Sequence, residues 1–344
     1  VGQPELKLAL TLALINPAIG GVLLIGPRGT GKTTAVRSLL DLLPQVERSA
    51  CFYGCIPEDI EQNGIDAVCP ECAKKYGLGE PLTRLERVHL VELPLNTTLD
   101  EVIGGVDPAA GEQSRMRLKR GILSNADLNL LYVDEINLLG KEIVDAILDA
   151  ASAGTYTVRR GPFSATYHAH FTLIGSMNPE EGRLRPQILD RFGLRVLVQG
   201  LQDPADRLEV YRRVGEYRQN KRAFIRRFQS ETEAAQAEIE NARQILPDVQ
   251  IPTEVALRGI EGIQRLGVDS LRAEIALFEA ARTYAASDGR REVSLADLQA
   301  VTPLALRLRR SDYMSRYFTE QSAEEEELVR VLQDEPSDDG RSSS

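Results

Sequence analysis

The first two hundred residues alternate between short apolar runs and stretches with helical periodicity. Residues 21–25, 129–133 and 171–174 are almost continuously apolar, which is typical of short strands that are buried on both faces of a parallel sheet. Apolar residues recur every three or four positions in residues 33–43 and 143–150, and this spacing predicts helices that pack on such a sheet. The pattern therefore predicts an α/β fold with a parallel sheet core.

Two other patterns interrupt or follow this alternation. A β-hairpin insertion is predicted at residues 155–167, because two strand-like runs flank a Gly161-Pro162 turn. From Pro204 onward the periodicity is helical only, over residues 231–246, 252–266, 271–286 and 295–308. We therefore divide the chain into an α/β domain (1–200, with an insertion at 45–86), a helical domain (201–312) and an acidic tail without regular structure (313–344).

Composition and charge narrow the classes of partner. The chain has 344 residues, 42% of them hydrophobic, and a formal net charge of -10 from 41 basic and 51 acidic residues. This balance gives no overall positive field for nucleic acid, so we expect no nucleic-acid partner. No apolar run approaches the roughly 20 residues that span a bilayer, and no signal peptide is evident. We therefore also expect no membrane span and an intracellular location.

The strongest chemical motif directly follows the first apolar run. Residues 26–33 fit the pattern G-x-x-x-x-G-K-[ST] of a phosphate-binding P-loop, in the order strand, glycine loop and helix. In such a loop backbone N–H groups surround the phosphates, Lys32 reaches the β- and γ-phosphates, and the Thr33 hydroxyl binds Mg²⁺. The positive end of the helix dipole adds to this site. The sequence therefore predicts nucleotide binding by Gly26, Pro27, Arg28, Gly29, Thr30, Gly31, Lys32, Thr33 and Thr34.

Polar residues at the ends of two later strands extend this site. Asp134 and Glu135 follow the run at 129–133, and Asn178 closes the strand that begins near residue 171. The carboxyl ends of parallel strands form the ligand-binding edge of an open α/β sheet. There Asp134 can hold Mg²⁺, Glu135 can orient and deprotonate the attacking water, and Asn178 can hydrogen-bond that water or the γ-phosphate. A plain Asn-Pro turn is the alternative for Asn178.

Arg191 is a candidate for charge stabilisation. It lies near the end of a short segment at 186–193 with helical character. An arginine at a helix end can act as a finger that neutralises γ-phosphate charge, often on a neighbouring subunit. A salt bridge to the adjacent Asp190 explains the same residue equally well.

Residue types that bind metals are concentrated in two places. Four thiols at the spacings C-x-x-x-C and C-x-x-C lie in one Gly- and Pro-rich segment, predicted as a loop. They can close a tetrahedral structural Zn²⁺ site, whereas a redox disulfide pair and an iron–sulfur site are the alternatives. His168 and His170 share one face of a predicted strand, but with no third ligand they are more simply explained as ordinary strand residues. The candidate zinc ligands are Cys51, Cys55, Cys69 and Cys72.

These motifs stand in the order found in AAA+ ATPases, which the chain resembles from residue 1 to about residue 310. The narrower resemblance is to the family of the ATPase subunit I of magnesium chelatases. It is carried by the blocks VGQ (1–3), GGV (20–22), GTGK (29–32), DEINLL (134–139), NPEEG (178–182) and LRPQILDRFG (184–193). The resemblance implies a P-loop NTPase of α/β fold, with a parallel sheet core, β-hairpin insertions and a C-terminal helical lid domain.

The resemblance also assigns roles to single residues. With the motifs above it implies ATP and Mg²⁺ as cofactors, Glu135 as the water-activating acid, and Thr33 and Asp134 as Mg²⁺ ligands. The helical lid is expected to bring the second sensor over the nucleotide. The remaining implied positions are Gly2 and Gln3 near the adenine, Asn178 as the first sensor, Arg191 as the finger that acts across the subunit boundary, and Arg272 as the second sensor.

The implied function is that of a motor. A homo-oligomeric ring would hydrolyse ATP to help a separate, large catalytic subunit insert Mg²⁺ into protoporphyrin IX, together with a middle subunit, in chlorophyll or bacteriochlorophyll synthesis. The implied location is the bacterial cytoplasm, or the chloroplast stroma for a plant or algal chain. A cobalt chelatase motor or a MoxR-like chaperone for metal insertion shares these motifs. An alternative of another class, a nucleotide-dependent scaffold that does not hydrolyse ATP, needs only the P-loop.

Overall fold

A parallel sheet forms the centre of the molecule. The computed structural model describes residues 1–51, 54–106, 118–161, 163–182 and 184–310. Its strands are β1 (Val22–Ile25), β2 (Gln45–Ser49), β3 (Thr83–Arg87), β4 (Leu90–Leu93), β5 (Gly104–Val106), β6 (Leu118–Arg120), β7 (Leu130–Val133), β8 (Thr155–Arg160), β9 (Phe163–His168), β10 (Thr172–Met177) and β11 (Leu194–Leu197). The order β11, β1, β10, β7, β4 describes the five-stranded sheet, in which every pairing is parallel. The predicted parallel sheet core is confirmed.

Helices cover the sheet and continue beyond it. They are α1 (Pro4–Ile15), α2 (Lys32–Ser38), α3 (Pro57–Asn63), α4 (Pro70–Gly77), α5 (Leu99–Ile103), α6 (Ile122–Asn125), α7 (Lys141–Ala153), α8 (Pro186–Arg191), α9 (Pro204–Gln219), α10 (Lys221–Arg227), α11 (Gln229–Ile245), α12 (Thr253–Arg265), α13 (Leu271–Ser287) and α14 (Leu295–Leu306). The helices predicted after Pro204 are confirmed, as is the antiparallel hairpin of β8 and β9. Within the described ranges, none of these helices combines the length and apolarity needed to cross a bilayer.

Alternate residues of the central strands pack on opposite faces of the sheet, because side chains alternate along a strand. Val22 and Leu24 of β1 belong to a hydrophobic cluster with α1, α11, α13 and α14. Leu23 and Ile25 belong to a second cluster, which includes α7. Both faces are thus covered by helices, which explains why the strand sequences are apolar runs rather than alternating ones.

The C-terminal helices are joined to the α/β part by a shared core. Residues of α11, α13 and α14 lie in the same hydrophobic cluster as α1 and β1. Polar contacts reinforce this packing: Asn16 Nδ2 donates to Glu279 Oε2 (2.8 Å), and Arg243 Nη2 donates to the Leu14 carbonyl (2.6 Å). The division of the chain near residue 200 stays a prediction, since the sheet ends with β11 and α9 begins at Pro204 while the cluster extends across this point.

Two local predictions are wrong in detail. The apolar residues of the segment 87–93 predict a single strand, but the segment belongs to two sheets, since β3 pairs antiparallel with β2 whereas β4 pairs parallel with β7. Between them the His89 N–H donates to Asn129 Oδ1 (2.9 Å). The helix expected at 33–43 ends at Ser38 and continues as a 3₁₀ turn, Leu39–Leu42.

The cysteine segment, predicted as a loop, contains the helices α3 and α4. Each begins with a proline, which suits the first helical position because its missing N–H would have no intrahelical partner there. Asp59 Oδ2 accepts a hydrogen bond from the Ile56 N–H (3.0 Å) and so closes the start of α3. The residue pairs of β2 and β3 enclose this segment as a two-stranded ribbon.

The close approach of two chain segments at the amino edge of the sheet gives a stability prediction. A Cβ atom on Gly193 would lie 1.7 Å from the Ile19 carbonyl oxygen, which is backbone and cannot rotate away. We expect Gly193→Ala to reduce the free energy of unfolding by about 2 kcal/mol or more, and to lower the apparent Tm. Gly140→Ala is the matched control, because Gly140 has a φ of -58° and no atom within 4 Å of an added Cβ. Equal melting temperatures for the two variants would contradict the predicted clash.

Candidate nucleotide site

The P-loop and two strand ends line one cavity of about 300 Å³. The P-loop follows β1, and the remaining lining residues lie at the ends of β7 and β10. These three strands are neighbours in the sheet, in the order β1, β10, β7. The cavity therefore lies at the carboxyl edge of the sheet, where open α/β folds bind ligands. It is lined by Arg28, Gly29, Thr30, Gly31, Lys32, Thr33, Thr34, Asp134, Glu135, Ser176, Met177 and Asn178.

The backbone shapes the P-loop at two glycines. Gly31, the residue before α2, has a left-handed φ of 87°, which residues other than glycine rarely adopt. A Cβ on Gly26 would lie 2.0 Å from the Val198 carbonyl oxygen, so only glycine fits between the loop and the end of β11. The first residues of α2 line the cavity, which places the N–H groups of a helix N-terminus beside it.

Lys32 is held inside the loop. Its side chain is buried, and Nζ donates to the carbonyls of Gly26 (2.6 Å) and Pro27 (2.9 Å). Burial lowers the pKa of Lys32, while the charges of Asp134 and Glu135 act in the opposite direction. A phosphate group in this cavity would favour the charged form of the amine in the same way.

One hydroxyl connects the two predicted Mg²⁺ ligands. Tyr132 Oη donates to Asp134 Oδ1 (2.9 Å) and lies 3.1 Å from Thr33 Oγ1. Ser176 Oγ donates to the same Asp134 oxygen. Burial raises the pKa of Tyr132 to about 12, so this hydroxyl stays protonated at neutral pH. Thr33 and Asp134 thereby present a hydroxyl and a carboxylate, oxygen ligands of the kind that Mg²⁺ prefers.

Tyr132 and Ser176 are not among the residues that the sequence motifs predict for this site. A signal for them exists, because each lies two residues before a predicted site residue, Asp134 or Asn178, and so faces the same side of its strand. Whether the two hydroxyls meet depends on β7 and β10 being neighbours, and that is a property of the fold rather than of either segment.

Glu135 is fixed by its backbone and by the P-loop. Its φ of 50° is left-handed, which is uncommon for a residue other than glycine and is often found at functional sites. The Glu135 N–H donates to Ser176 Oγ (3.2 Å), and Arg28 Nη2 lies 3.0 Å from Glu135 Oε1. Arg28 also pairs with Glu181 at 2.5 Å. Arg28, which was predicted only as a phosphate-loop residue, therefore holds the predicted water-activating carboxylate.

Asn178 lies in the cavity wall and is also part of a turn. Its side chain is 4% exposed, and its Oδ1 accepts a hydrogen bond from the Glu180 N–H (3.3 Å). Asn137 Nδ2 lies at hydrogen-bond distance (3.5 Å) from the Asn178 carbonyl. The turn and the cavity position, which were alternatives in the sequence, are both present.

Gly2 and Gln3 lie near the P-loop strand and do not line the cavity. Gln3 Nε2 donates to the Gln199 carbonyl (2.5 Å), and the N–H of the preceding residue, Val198, donates to the Ile25 carbonyl (2.7 Å). The N-terminal stretch is thus attached at the carboxyl edge beside the end of β1. Its role near an adenine stays a prediction.

Arg191 and Arg272 are close together but far from the P-loop of the same chain. They line a second cavity, of about 400 Å³, and none of the described residues that line it also lines the first cavity. Its wall includes Gly20, which precedes β1, and Gly193, which precedes β11, so it lies at the amino edge of the sheet. Four extended residues span roughly 13 Å. In this chain α13 places Arg272 beside Arg191 and not at the P-loop cavity, and its role as the second sensor stays a prediction.

Asp190 connects the elements around this second cavity. Its carboxylate accepts hydrogen bonds from Arg309 Nη1 (2.7 Å) and Ser270 Oγ (2.9 Å), and it lies 3.7 Å from Arg272 Nη1. Arg191 instead donates to Asp149 Oδ1 at 2.6 Å. The alternative of an Arg191 salt bridge with Asp190 is wrong, because α8 directs the two side chains to different partners.

Comparison with known proteins agrees with this architecture. Residues 20–176 match the family model described as AAA domain, and residues 260–331 match the one described as AAA lid domain. The chain is 42% identical to the magnesium-chelatase subunit ChlI homolog of Methanocaldococcus jannaschii, over 91% of this chain and 85% of that protein. It is 41% identical to magnesium-chelatase subunit ChlI of Synechocystis, over 90% and 86%.

A solved structure gives the same picture. A chain of the complex between subunits BchI and BchD of magnesium chelatase, studied by cryo-electron microscopy, is 38% identical to this one with a TM-score of 0.50. The match covers 90% of this chain and 94% of that chain. The predicted P-loop α/β fold with a helical lid is confirmed.

The shared hydroxyl of Tyr132 gives a prediction for the site. Tyr132→Phe removes only the group between Thr33 and Asp134, so we expect the Mg²⁺ concentration for half-maximal phosphate release to rise about fivefold, as for a hydrogen bond of about 1 kcal/mol. Tyr156→Phe, the same chemical change on β8 outside the cavity, should leave that concentration unchanged. An unaltered Mg²⁺ requirement in Tyr132→Phe would show that the hydroxyl does not position the ligands.

Proposed function

The chain belongs to the magnesium-chelatase subunit I family of AAA+ ATPases, and from this premise we propose that it is the ATP-hydrolysing motor subunit of a magnesium chelatase. As an AAA ATPase it uses ATP and Mg²⁺. The observation that carries the proposal is the cavity at the carboxyl edge, where Lys32, Asp134 and Asn178 meet. That cavity contains the residue types needed for binding a triphosphate, holding its metal ion and placing a water molecule.

Within one chain the cavity provides the groups that bind the phosphates and Mg²⁺ and that position and deprotonate the attacking water. The P-loop N–H groups and Lys32 hold the phosphates, and Thr33 and Asp134 hold Mg²⁺, which when bound neutralises charge on the β- and γ-phosphate oxygens. Asn178 orients the attacking water, and Glu135 accepts its proton. Arg28 pairs with one oxygen of this carboxylate, Oε1, at 3.0 Å.

A neighbouring copy supplies the positive charges that stabilise the γ-phosphate during hydrolysis. Arg191 and Arg272 lie together at the amino edge, so a copy that places this edge over the nucleotide cavity of the next chain supplies both cations at once. Contact between two different surfaces of identical chains closes into a ring when the rotation allows it. Both the finger and the second sensor therefore act across the subunit boundary in this proposal.

An exposed apolar surface supports assembly. The described side chains of α9 and α10 include no buried residue. Six large apolar side chains on these helices are 38% to 76% exposed, and they are Leu208, Val210, Tyr211, Val214, Tyr217 and Ile225. A concentration of exposed large apolar side chains on two consecutive helices favours a surface that another protein covers.

The chelatase partners follow from the family. A structural relative occurs in a complex of subunits BchI and BchD, and we propose corresponding middle and large catalytic partners for this chain. Mg²⁺ insertion into protoporphyrin IX takes place on the large subunit, and this chain supplies the movement that ATP hydrolysis drives. The proposed location is the bacterial cytoplasm, or the chloroplast stroma for a plant or algal chain.

Mixed rings test whether Arg191 acts on the neighbour. Lys32→Ala has a damaged P-loop with an intact finger, and Arg191→Ala has the reverse, so each alone should lose at least about a thousandfold of steady-state phosphate release. In an equimolar mixture assembled from separated chains, about a quarter of the boundaries combine an intact P-loop with an intact finger. We therefore expect activity to return on mixing.

The control for this test uses the same substitutions. Arg191→Ala mixed with the double variant Lys32→Ala/Arg191→Ala provides no intact finger, and it should stay inactive. If the first mixture also stays inactive although rings form, or if Arg191→Ala alone hydrolyses ATP at the normal rate, the trans arrangement is contradicted.

Reconstitution tests the function itself. The chain combined with middle and large chelatase subunits, protoporphyrin, Mg²⁺ and ATP should produce the absorbance of the metalloporphyrin, and Glu135→Gln should abolish it because the water is no longer activated. Insertion of Co²⁺ but not Mg²⁺ would indicate a cobalt chelatase motor. Metal insertion without phosphate release would indicate the scaffold alternative.

A further inference from the structure

The cysteine segment brings its four sulfur atoms to one point. The Sγ atoms of the four cysteines all lie within 4.8 Å of one another, and none of these residues is in a disulfide. Cys55 and Cys72 are buried, whereas Cys51 and Cys69 are half-buried. The cluster shares no residue with the nucleotide cavity. It is therefore a second site, with its own chemistry.

We infer that these four thiolates bind one structural Zn²⁺ ion. Four sulfurs at about 2.3 Å from a single tetrahedral zinc lie roughly 3.8 Å from one another, which agrees with a cluster contained within 4.8 Å. The spacings C-x-x-x-C and C-x-x-C are also those of structural zinc sites. Of the alternatives in the sequence, a disulfide joins only two sulfurs, and an iron–sulfur cluster distributes its thiolates over several irons.

Hydrogen-bond donors around the sulfurs support this inference. The Cys55 N–H donates to Cys51 Sγ (3.3 Å), and the Cys69 N–H donates to Cys55 Sγ (3.3 Å). Ser49 Oγ donates to Cys51 Sγ at 3.4 Å. Donors of this kind orient metal-bound ligands and offset part of their negative charge. The backbone between the cysteines is thus arranged for thiolates.

The segment has little else to fold around. Its hydrophobic cluster of buried residues comprises, in the described chain, Ile60, Val68 and Leu82 together with two of the four thiols. The helices α3 and α4 have seven and eight residues, and the ribbon of β2 and β3 is a separate two-stranded sheet, which is marginally stable alone. Metal–ligand bonds commonly provide the folding free energy that such a small core lacks.

The cysteine segment lies against the β8–β9 hairpin. Asp59 Oδ1 of α3 lies 3.6 Å from His168 Nε2 at the end of β9, and Cys55 and Tyr167 line one cavity between the two elements. His168 stacks on His170, with ring centroids 5.8 Å apart, and neither is part of the sulfur cluster. The metal therefore stabilises a support for the hairpin rather than taking part in ATP hydrolysis.

Metal analysis of the full-length chain tests the inference. Protein expressed with added zinc and then dialysed should contain one zinc ion per chain, measured by inductively coupled plasma mass spectrometry. Cys69→Ser/Cys72→Ser should contain less than a tenth of that amount, and His168→Ala, which removes a nearby metal-binding side chain outside the cluster, should still contain one. The measurement needs no ATPase activity, so its outcome is independent of the proposed motor function.

A second measurement needs no variant and therefore no assumption about its folding. Replacing zinc by Co²⁺ in the wild-type chain should produce the intense visible absorption of a tetrahedral thiolate site. Adding Zn²⁺ back should abolish this absorption, because it displaces Co²⁺. Iron with acid-labile sulfide, disulfides among the four cysteines, or four reactive thiols and no zinc in the freshly purified chain would each overturn the inference.

Discussion

The parallel alignment of β1, β10 and β7 is the constraint on which the structure depends. Because these strands run in one direction, the residues that follow them meet at one edge and the residues that precede them lie at the other. The P-loop after Ile25, Asp134 after Val133 and Asn178 after Met177 share a cavity for this reason. Gly20, before β1, lies beside the arginines at the far edge. The residues predicted to bind phosphate and the arginine proposed to neutralise its charge are thereby separated by the length of a strand.

Burial of two arginines maintains that separation. Arg195 of β11 is fully buried, burial lowers its pKa to about 9, and its guanidinium donates to the carbonyls of Leu189 (3.1 Å) and Arg307 (2.7 Å). Arg309 binds Asp190 from the C-terminal side. Burying a guanidinium is costly unless its donors are used, and here they connect α8 to the end of α14. The C-terminal helices thus fix the far edge of the sheet, which carries Arg191, the proposed finger, and they do not place Arg272 at the P-loop cavity of the same chain.

Sequence patterns predicted what is local and missed what depends on neighbours. The P-loop glycines, Lys32 and Asp134 are readable because their chemistry needs fixed residue types at fixed spacing. The continuous apolar runs predicted the central strands, because a strand that is buried on both faces consists almost entirely of apolar residues. Strand order, by contrast, decides that Tyr132 meets Thr33, and that the chain changes partner at His89. The position of Arg272 depends on how α13 packs on α1, which no motif records.

The insertions show how the two sites of the molecule differ in what holds them together. The nucleotide cavity is assembled from the ends of strands that the sheet and its two hydrophobic clusters hold in place. The segment at 45–86 is outside that sheet and has three apolar residues at its centre besides its thiols. Between them lies the hairpin, whose strand β9 contacts the cysteine segment and is followed after three residues by β10, which carries Ser176. The hairpin therefore connects the segment for which we propose a zinc ion to the strand whose Ser176 hydrogen-bonds Asp134.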